Sequence, residues 1–439
     1  MKELYARAIL LLVDILAIAL SILIGYFLRT IIDHSFTNTF NHALSIYLAF
    51  PLLYITTIAM LAYEGIYTRR YDFWHESRQV IKALIFSFIF IMAFLAMTQA
   101  IYGYSRIVIV FSFIAMVFLI PTFKYFIKRA LYKIGWWQRR AYVHGKDKYF
   151  KEEIFSNPHL GYTQSHREDA QTIFIDSYKE DIDTLKNLIE KEMQQNHEIV
   201  FIPLINEYDL TRSFIYNLSS RRRNLIVYTN RLKSKYRIWT KKISDLVMTI
   251  VSLPFIIPIM LYIAYKIKRN EPAQKVLFKQ KRLGKNGQIF SCYKFQTMHE
   301  DNEQLLQVYL KSNPGERVYY QTYHKYKNDP RITDIGHFLR RTSLDELPQI
   351  FNVFRGDMSF IGPRPYMLDE KDLLRENIDT ILTVKPGITG LWQVSGRNEV
   401  NFRKRIALDI WYIRNWNLWM DLVILLKTIK TVFTREGAQ

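Results

Sequence analysis

Apolar residues gather into long runs at the start of the chain and break into short, alternating runs further on. Four apolar stretches fill the first third, at about 8–28, 42–62, 83–101 and 107–126. Each approaches the roughly 20 residues that cross a bilayer core, which predicts four transmembrane helices. Residues 1–7 are too short for a removable signal peptide, so the first run is expected to remain as a span. From 141 to about 237 the pattern becomes that of an α/β domain. Short β-rich runs at 140–143, 172–175, 198–202 and 225–228 alternate with helical stretches at 182–193 and 207–218, predicting a small parallel sheet.

A fifth apolar run, 246–265, is interrupted by Pro254 and Pro258. Lys241 and Lys242 precede it and Lys266, Lys268 and Arg269 follow it, so both flanks favour one side of the membrane. A break at Pro254 would let the helix enter the bilayer and return. Asn286-Gly287 between β-prone flanks then signals a hairpin. The run 406–433, with Trp411, Trp416 and Trp419 beside Arg414, Lys427 and Lys430, reads as an interfacial helix, a buried helix being the other reading.

Charge adds orientation. Lys2 and Arg7 precede the first run; Arg69, Arg70 and Arg78 lie between the second and third; Lys124, Lys128, Arg129, Lys133, Arg139 and Arg140 close the fourth. All three groups then face the cytoplasm, as does everything after about residue 130. The formal net charge of +20 fits nucleic acid, anionic membrane or phosphorylated substrates. No recognition helix or aromatic stacking motif supports nucleic acid, and topology absorbs much of the basic excess. With Cys292 as the only cysteine, no intrachain disulfide can form.

The densest candidate chemistry is Arg340-Arg341-Thr342-Ser343-Leu344-Asp345-Glu346-Leu347-Pro348, followed by Gly362-Pro363-Arg364-Pro365. A guanidinium pairs two phosphate oxygens at once, each charge-assisted bond contributing roughly 1.5–3 kcal/mol. A carboxylate among such charges can attack phosphorus or hold a magnesium ion. Two local readings stay open. Ser343 and Glu346 have capping-box spacing, which would make Glu346 a structural cap; or a helix starts at Pro348, leaving both carboxylates in the turn before it. Lys294 among apolar neighbours is either a phosphate ligand or a snorkelling lysine. Gly387, Gly390 and Gly396 would permit close backbone approach to a ligand, with Arg397 beside them. After the first predicted strand, Val143-His144-Gly145-Lys146-Asp147 has one glycine where a dinucleotide site would have three. Arg221-Arg222-Arg223 reads as a solvated or membrane-facing patch.

These motifs occur in one order. Lys241–Asp245, the proline-interrupted apolar helix, Tyr293–Met298, Asn328-Asp329-Pro330-Arg331-Ile332-Thr333, Thr342–Pro348, Gly356–Pro365 and Lys385–Arg397 together resemble the bacterial polyprenyl-phosphate sugar-1-phosphate transferases, in their long form. The resemblance implies a mixed α/β membrane protein: a four-helix transmembrane bundle (1–135), a Rossmann-like cytoplasmic α/β domain (136–238) and a mainly helical catalytic domain (239–439) with a re-entrant helix at 243–267. It implies transfer of a hexose-1-phosphate, galactose favoured, from a UDP-hexose to undecaprenyl phosphate in the bacterial inner membrane. Asp345 would be the nucleophile and Glu346 the Mg²⁺ ligand. Lys294, Arg340, Arg341, Arg364 and Arg397 would bind phosphate or substrate. A homodimer among inner-membrane lipids is expected. A membrane-anchored scaffold with an inactive transferase domain is the competing reading. Where the family usually has Lys-Phe-Arg, this chain has Lys294-Phe295-Gln296, which removes one charge.

Overall fold

A computed structural model describes residues 2–35, 43–98, 103–145, 148–176, 182–194, 198–202, 214–218, 223–227, 235–299, 302–313, 316, 329–374, 377–395 and 402–434. The chain forms two compact units, Met1–Asn206 and Glu207–Gln439.

In the first unit α1 (Lys2–Ser35) packs along α5 (Arg106–Lys133), while α3 (Pro51–Tyr63) packs on α4 (Phe73–Met97). The short α2 (Leu44–Leu48) precedes α3, so the second apolar run is two helices, because Pro51 lacks the N–H needed to continue one. Ala6, Leu10, Ala17 and Ile18 meet Val108, Ile109, Met116 and Ile120 in one core. Gly25 makes this approach possible: a Cβ there would collide with the Ser112 backbone. The outward faces are apolar too, Leu12, Leu16, Phe27 and Phe118 being 58%, 64%, 64% and 66% exposed. A helix pair apolar inside and out suits a lipid solvent. Among the described residues five helical segments are long and apolar enough to cross a membrane: four in this unit and Ile238–Asn270 in the second.

Two lysines depart from expectation. Lys124 and Lys128, read above as flanking charges, are fully buried. Lys124 Nζ lies 2.7 Å from Asp14 Oδ2, which also accepts Tyr67 OH at 2.6 Å. Lys128 Nζ lies 2.7 and 2.8 Å from the Glu76 oxygens, with His159 on the same carboxylate. Partners from other helices decided their burial, and no local pattern announces them. The same pairing explains why α4 begins at Phe73, capped by Asp72, ten residues ahead of the apolar run.

Beyond α5, strands β1 (Arg139–His144), β2 (Tyr162–Gln164), β3 (Thr172–Asp176) and β4 (Glu198–Ile202) make a parallel sheet in the order β2-β1-β3-β4. Helices α6 (Lys148–Phe155) and α7 (Ile182–Gln194) connect them. The three-residue β2 is too short to show a pattern in the sequence. The run expected to supply the fourth strand instead forms β6 (Arg223–Val227), antiparallel to β5 (Phe214–Leu218), in the second unit. The expected helix at 207–218 is therefore a strand over 214–218, where backbone pairing with β6 overrides local helical pattern; its remainder lies outside the described residues.

After β5 and β6 the second unit continues into α8 (Lys235–Asn270), one continuous helix with Pro254 and Pro258 inside it rather than a break between two helices. Both halves pack on the same unit. Asp245 accepts bonds from Ser359 Oγ and the Phe360 N–H, and Met260, Ile263 and Ile267 join Phe295, Leu339 and Ile350. Strands β7 (Leu277–Leu283) and β8 (Ile289–Phe295) form the expected hairpin, with Asn286 and Gly287 at φ 56° and 76°. Then come α9 (Asn302–Ser312), α10 (Asp334–Thr342), a 3₁₀ turn at Leu344–Gln349, α11 (Ile350–Arg355) and parallel strands β9 (Ser359–Ile361) and β10 (Gly387–Thr389). Helices α12 (Phe402–Asn415) and α13 (Leu418–Thr434) close the unit. The expected interfacial helix is thus two helices. Ile406, Ile410, Ile413 and Trp416 are buried in the core, while Leu418, Leu422, Leu426 and Ile429 leave an apolar stripe exposed on α13.

Removing one partner of a buried ion pair typically costs about 3–5 kcal/mol, because the survivor stays uncompensated. Lys128→Met is therefore expected to lower the melting temperature of the detergent-solubilised protein more than the double variant Glu76→Gln/Lys128→Met. Equal melting of the two would refute the pairing.

Candidate active site

The hairpin sets the floor of the site. Side chains alternate along β7 and β8, so Phe278, Gln280 and Arg282 fall on one face with Cys292 and Lys294, the register placing Phe278 opposite Lys294. All five line a cavity of about 600 Å³. Asn352 of α11 locks β8 beneath it, accepting the Tyr293 N–H at 3.0 Å and donating to Ser291 O at 2.8 Å.

Helix α10 starts at Thr333, whose hydroxyl accepts the Gly336 N–H at 2.9 Å. It ends at Ser343, which adopts φ 57° and turns the chain. Asp345 and Glu346 ride in the 3₁₀ turn that follows, and Ser343 makes no side-chain cap. The capping-box reading therefore does not hold; both carboxylates sit in a turn ahead of α11, which begins at Ile350 rather than Pro348.

Lys294 Nζ lies 2.9 Å from Glu346 Oε1 and 4.0 Å from Asp345 Oδ2. Arg340 lines the same cavity, its Nε donating to Thr297 Oγ1 at 2.9 Å. Burial pushes the Asp345 carboxyl up; Lys294 opposes this, Glu346 adds to it, Arg340 opposes it, and the balance lies at about 6. For Lys294, burial would favour the neutral amine, but Glu346 and Asp345 outweigh it and raise its pKa. The ammonium is held charged between two acids, whereas the nucleophile candidate stays near its protonation threshold.

Arg364 also reaches the cavity, 3.6 Å from Glu370 and 5.9 Å from the Trp392 ring. Its turn is fixed from behind: Asp409 Oδ2 accepts the Arg364 N–H at 3.3 Å and Tyr366 OH at 2.8 Å. Burial raises the Asp409 carboxyl to about 7. Gly387 and Gly390 serve this turn, since a Cβ on either would collide with the Gly362 backbone. Gln296 lines the cavity but spends its amide on Met298 O at 2.8 Å. Arg341 is exposed and outside the cavity, a helical step of about 100° from Arg340. Arg397 and Gly396 lie outside the described residues.

Four lining residues were not singled out from the sequence. Arg282 donates to Pro365 O at 3.1 Å and Gln280 Oε1 at 2.6 Å, and Arg405 stacks 4.5 Å from the Trp392 ring. Arg282 Nε, Arg405 Nε, Trp392 Nε1 and Gln349 Oε1 are buried without a protein partner. Spacing carried one faint signal: Arg405 and Asp409 stand four apart on α12, hence on one helical face. Five cations (Arg282, Lys294, Arg340, Arg364, Arg405) thus face two carboxylates. Such a lining suits a polyanion, and a carboxylate among these cations has the chemistry of a nucleophile toward phosphorus.

An apolar trough of about 280 Å³ meets this cavity at Ser343, Glu346, Ile388 and Gln393 and runs to Ile256 on α8. A cation-lined cavity that shares four lining residues with an apolar trough, beside a membrane-length helix, suits a membrane enzyme acting on phosphate esters.

Comparison with known proteins gives the family. Residues 236–435 match the bacterial sugar transferase family. The chain is 32% identical over 406 residues to the undecaprenyl-phosphate galactose phosphotransferase of Salmonella typhimurium, covering 85% of this chain and 84% of that protein. It is 30% identical over 407 residues to the UDP-galactose-lipid carrier transferase of Erwinia amylovora, covering 85% and 84%. Over 199 residues it is 41% identical to the exopolysaccharide production protein ExoY of Sinorhizobium fredii, covering 45% of this chain and 88% of that one. The chain belongs to the bacterial sugar transferase family, the polyprenyl-phosphate sugar-1-phosphate transferases.

Gly387→Ala is expected to force the β9–β10 backbones apart, costing about 1–3 kcal/mol as overpacking does and displacing Arg364. A lowered melting temperature with reduced turnover would be measured; unchanged values for both would show that the glycine is not needed there.

Proposed function

We propose that this chain transfers galactose-1-phosphate from UDP-galactose to undecaprenyl phosphate, releasing UMP, at the cytoplasmic face of the bacterial inner membrane. The observation that carries the reading is Asp345, half-buried among cations in a polar cavity whose neighbouring trough is apolar. Galactose follows the names of two relatives that align over most of this chain.

In the first half-reaction the Asp345 carboxylate attacks the sugar-linked phosphorus. The bond from that phosphorus to the bridging oxygen breaks and its electron pair leaves on UMP, giving a phosphosugar-aspartyl acyl phosphate. In the second, an oxygen of undecaprenyl phosphate attacks the same phosphorus and Asp345 leaves as the carboxylate. Lys294, Arg340 and Arg364 offset the repulsion between a carboxylate and a diphosphate, and hold charge where it develops on the leaving oxygen. A covalent intermediate lets a water-soluble donor and a lipid acceptor use one site in turn.

Among the described residues no group of three or more His, Cys, Asp or Glu side chains is assembled to hold a metal. Glu346 and the unpartnered Gln349 Oε1 nevertheless suit Mg²⁺, which is commonly shared between one or two protein oxygens and substrate phosphates. Bound there, Mg²⁺ would shield the diphosphate and stabilise charge on the leaving UMP.

In this reading α8 dips into the bilayer and returns by bending at Pro254 and Pro258, which lie inside one uninterrupted helix. Its 36 residues measure roughly 54 Å, more than a bilayer core, yet both halves pack on one unit. Tyr262, Phe255, Val251 and Leu246, 60%, 72%, 63% and 49% exposed, would meet acyl chains, and the trough from Ile256 would lead the prenyl phosphate to Glu346.

UMP release is the test. Purified protein in nanodiscs with undecaprenyl phosphate and Mg²⁺ should release UMP from UDP-galactose and not from UDP-glucose or UDP-N-acetylated sugars. Release from UDP-glucose alone would overturn the sugar. No release with any donor would favour a scaffold that keeps the motif without the chemistry.

Asp345→Asn should abolish both transfer and exchange of labelled UMP into UDP-galactose. Because the folded carboxyl lies at about 6, above its ordinary 3.8, ionised Asp345 costs the fold stability at pH 7, so this variant should melt no lower than wild type. Below pH about 6 the nucleophile is protonated, so kcat/KM for the donor should fall on the acid side of that value. A flat profile between pH 5 and 7 would remove Asp345 from the rate-determining chemistry.

A further inference from the structure

A second cavity, of about 320 Å³, shares no lining residue with the first. Three lysines from remote parts of the chain meet at it: Lys242 on α8, Lys285 at the hairpin turn and Lys385 ahead of β10. Their neighbour Lys241 is already committed, 3.0 Å from Asp245 and 2.9 Å from Asp421. Those two acids are also satisfied: Asp245 accepts Ser359 Oγ at 2.7 Å, and Asp421 accepts Tyr412 OH at 2.7 Å and Trp416 Nε1 at 3.0 Å. Burial, Lys242 and Lys285 together lower the Lys385 pKa against the opposing pull of Asp245 and Asp357. Among the described residues no carboxylate lies within ion-pair distance of Lys242, Lys285 or Lys385. Clustering like charges costs the fold energy, which a bound anion would return.

The walls say what kind of anion. Leu246 and Phe354 line the cavity and are also 49% and 69% exposed, joining it to the apolar face of α8. Free phosphate gains nothing from such walls, whereas an amphiphile places its phosphate on the lysines and its chains along the apolar face. We propose that the cavity between Lys242, Lys285 and Lys385 binds the phosphate of an anionic membrane phospholipid, as a docking site separate from the transfer cavity. The site anchors the unit at headgroup level. Its occupant is not consumed by the reaction, so the proposal stands or falls independently of donor chemistry.

The test uses the full chain extracted from nanodiscs of phosphatidylcholine with graded phosphatidylglycerol, with retained lipid counted by native mass spectrometry. Wild type should retain phosphatidylglycerol over phosphatidylcholine, and Lys242→Gln/Lys285→Gln/Lys385→Gln should lose roughly tenfold or more of that preference. Lys285→Gln alone, at a turn whose backbone Asn286 and Gly287 set, should keep the fold and weaken retention about severalfold. Equal phosphatidylglycerol retention by wild type and both variants would overturn the site. Displacement of the lipid by inorganic phosphate at matched concentration would assign the lysines to a free anion instead. Displacement by one equivalent of undecaprenyl phosphate would assign them to the acceptor. Either result would overturn the phospholipid assignment.

Discussion

The second unit depends on holding an acid where acids are repelled. Asp345 is 13% exposed, and without counter-charges a carboxylate in that position would take a proton and lose its nucleophilicity. Lys294 supplies the nearest counter-charge and Arg340 the next, while Glu346 pushes the other way. The outcome is a carboxyl poised near neutrality, with its charge favoured by cations that would also receive the substrate phosphates. Lys294 thus offsets both acids at once, which a hydrophobic filler of equal volume could not do.

Most of the surrounding fold can be understood as bracing for that balance. The hairpin fixes Lys294 by its two-residue period, α10 aims Arg340, and the positive-φ Ser343 swings the two carboxylates back over the strand. Arg364 comes from a turn held by Asp409 from behind and by the glycine contacts of β10 from the side. Each support comes from a different stretch of chain, so displacing one cation shifts the acid that the others are tuned to.

The first unit solves a related problem differently. Lys124 and Lys128 are buried in helices otherwise suited to lipid, and each is matched by a carboxylate from another helix. Glu76 also takes His159, from the connection between α6 and β2, so the helices and the sheet of that unit share one charge network. Arg70 adds a second tie, donating to Leu160 O and Gly161 O at 3.0 and 3.1 Å and lying 4.4 Å from the Trp137 ring. Removing one partner of such a pair would leave the other buried and uncompensated, so each pair ties the helix that carries it to its partner helix.

The sequence by itself determined whatever has a short period or a local chemical cause. Apolar run lengths placed the membrane-length helices, Asn286-Gly287 placed the hairpin, and the Asp345-Glu346 pair with Arg340 pointed to the charged cavity they line, because these signals lie within a few residues of one another. Tertiary structure alone decided what depends on distant partners. Lys124 and Lys128 are buried because Asp14 and Glu76 come from elsewhere. The expected helix over 214–218 is a strand because β6 pairs with it. Arg282 and Arg405 reach the cavity while Arg341, inside the motif itself, points away. A side chain's direction is set by the element that carries it and by what that element packs against, and a linear pattern records neither.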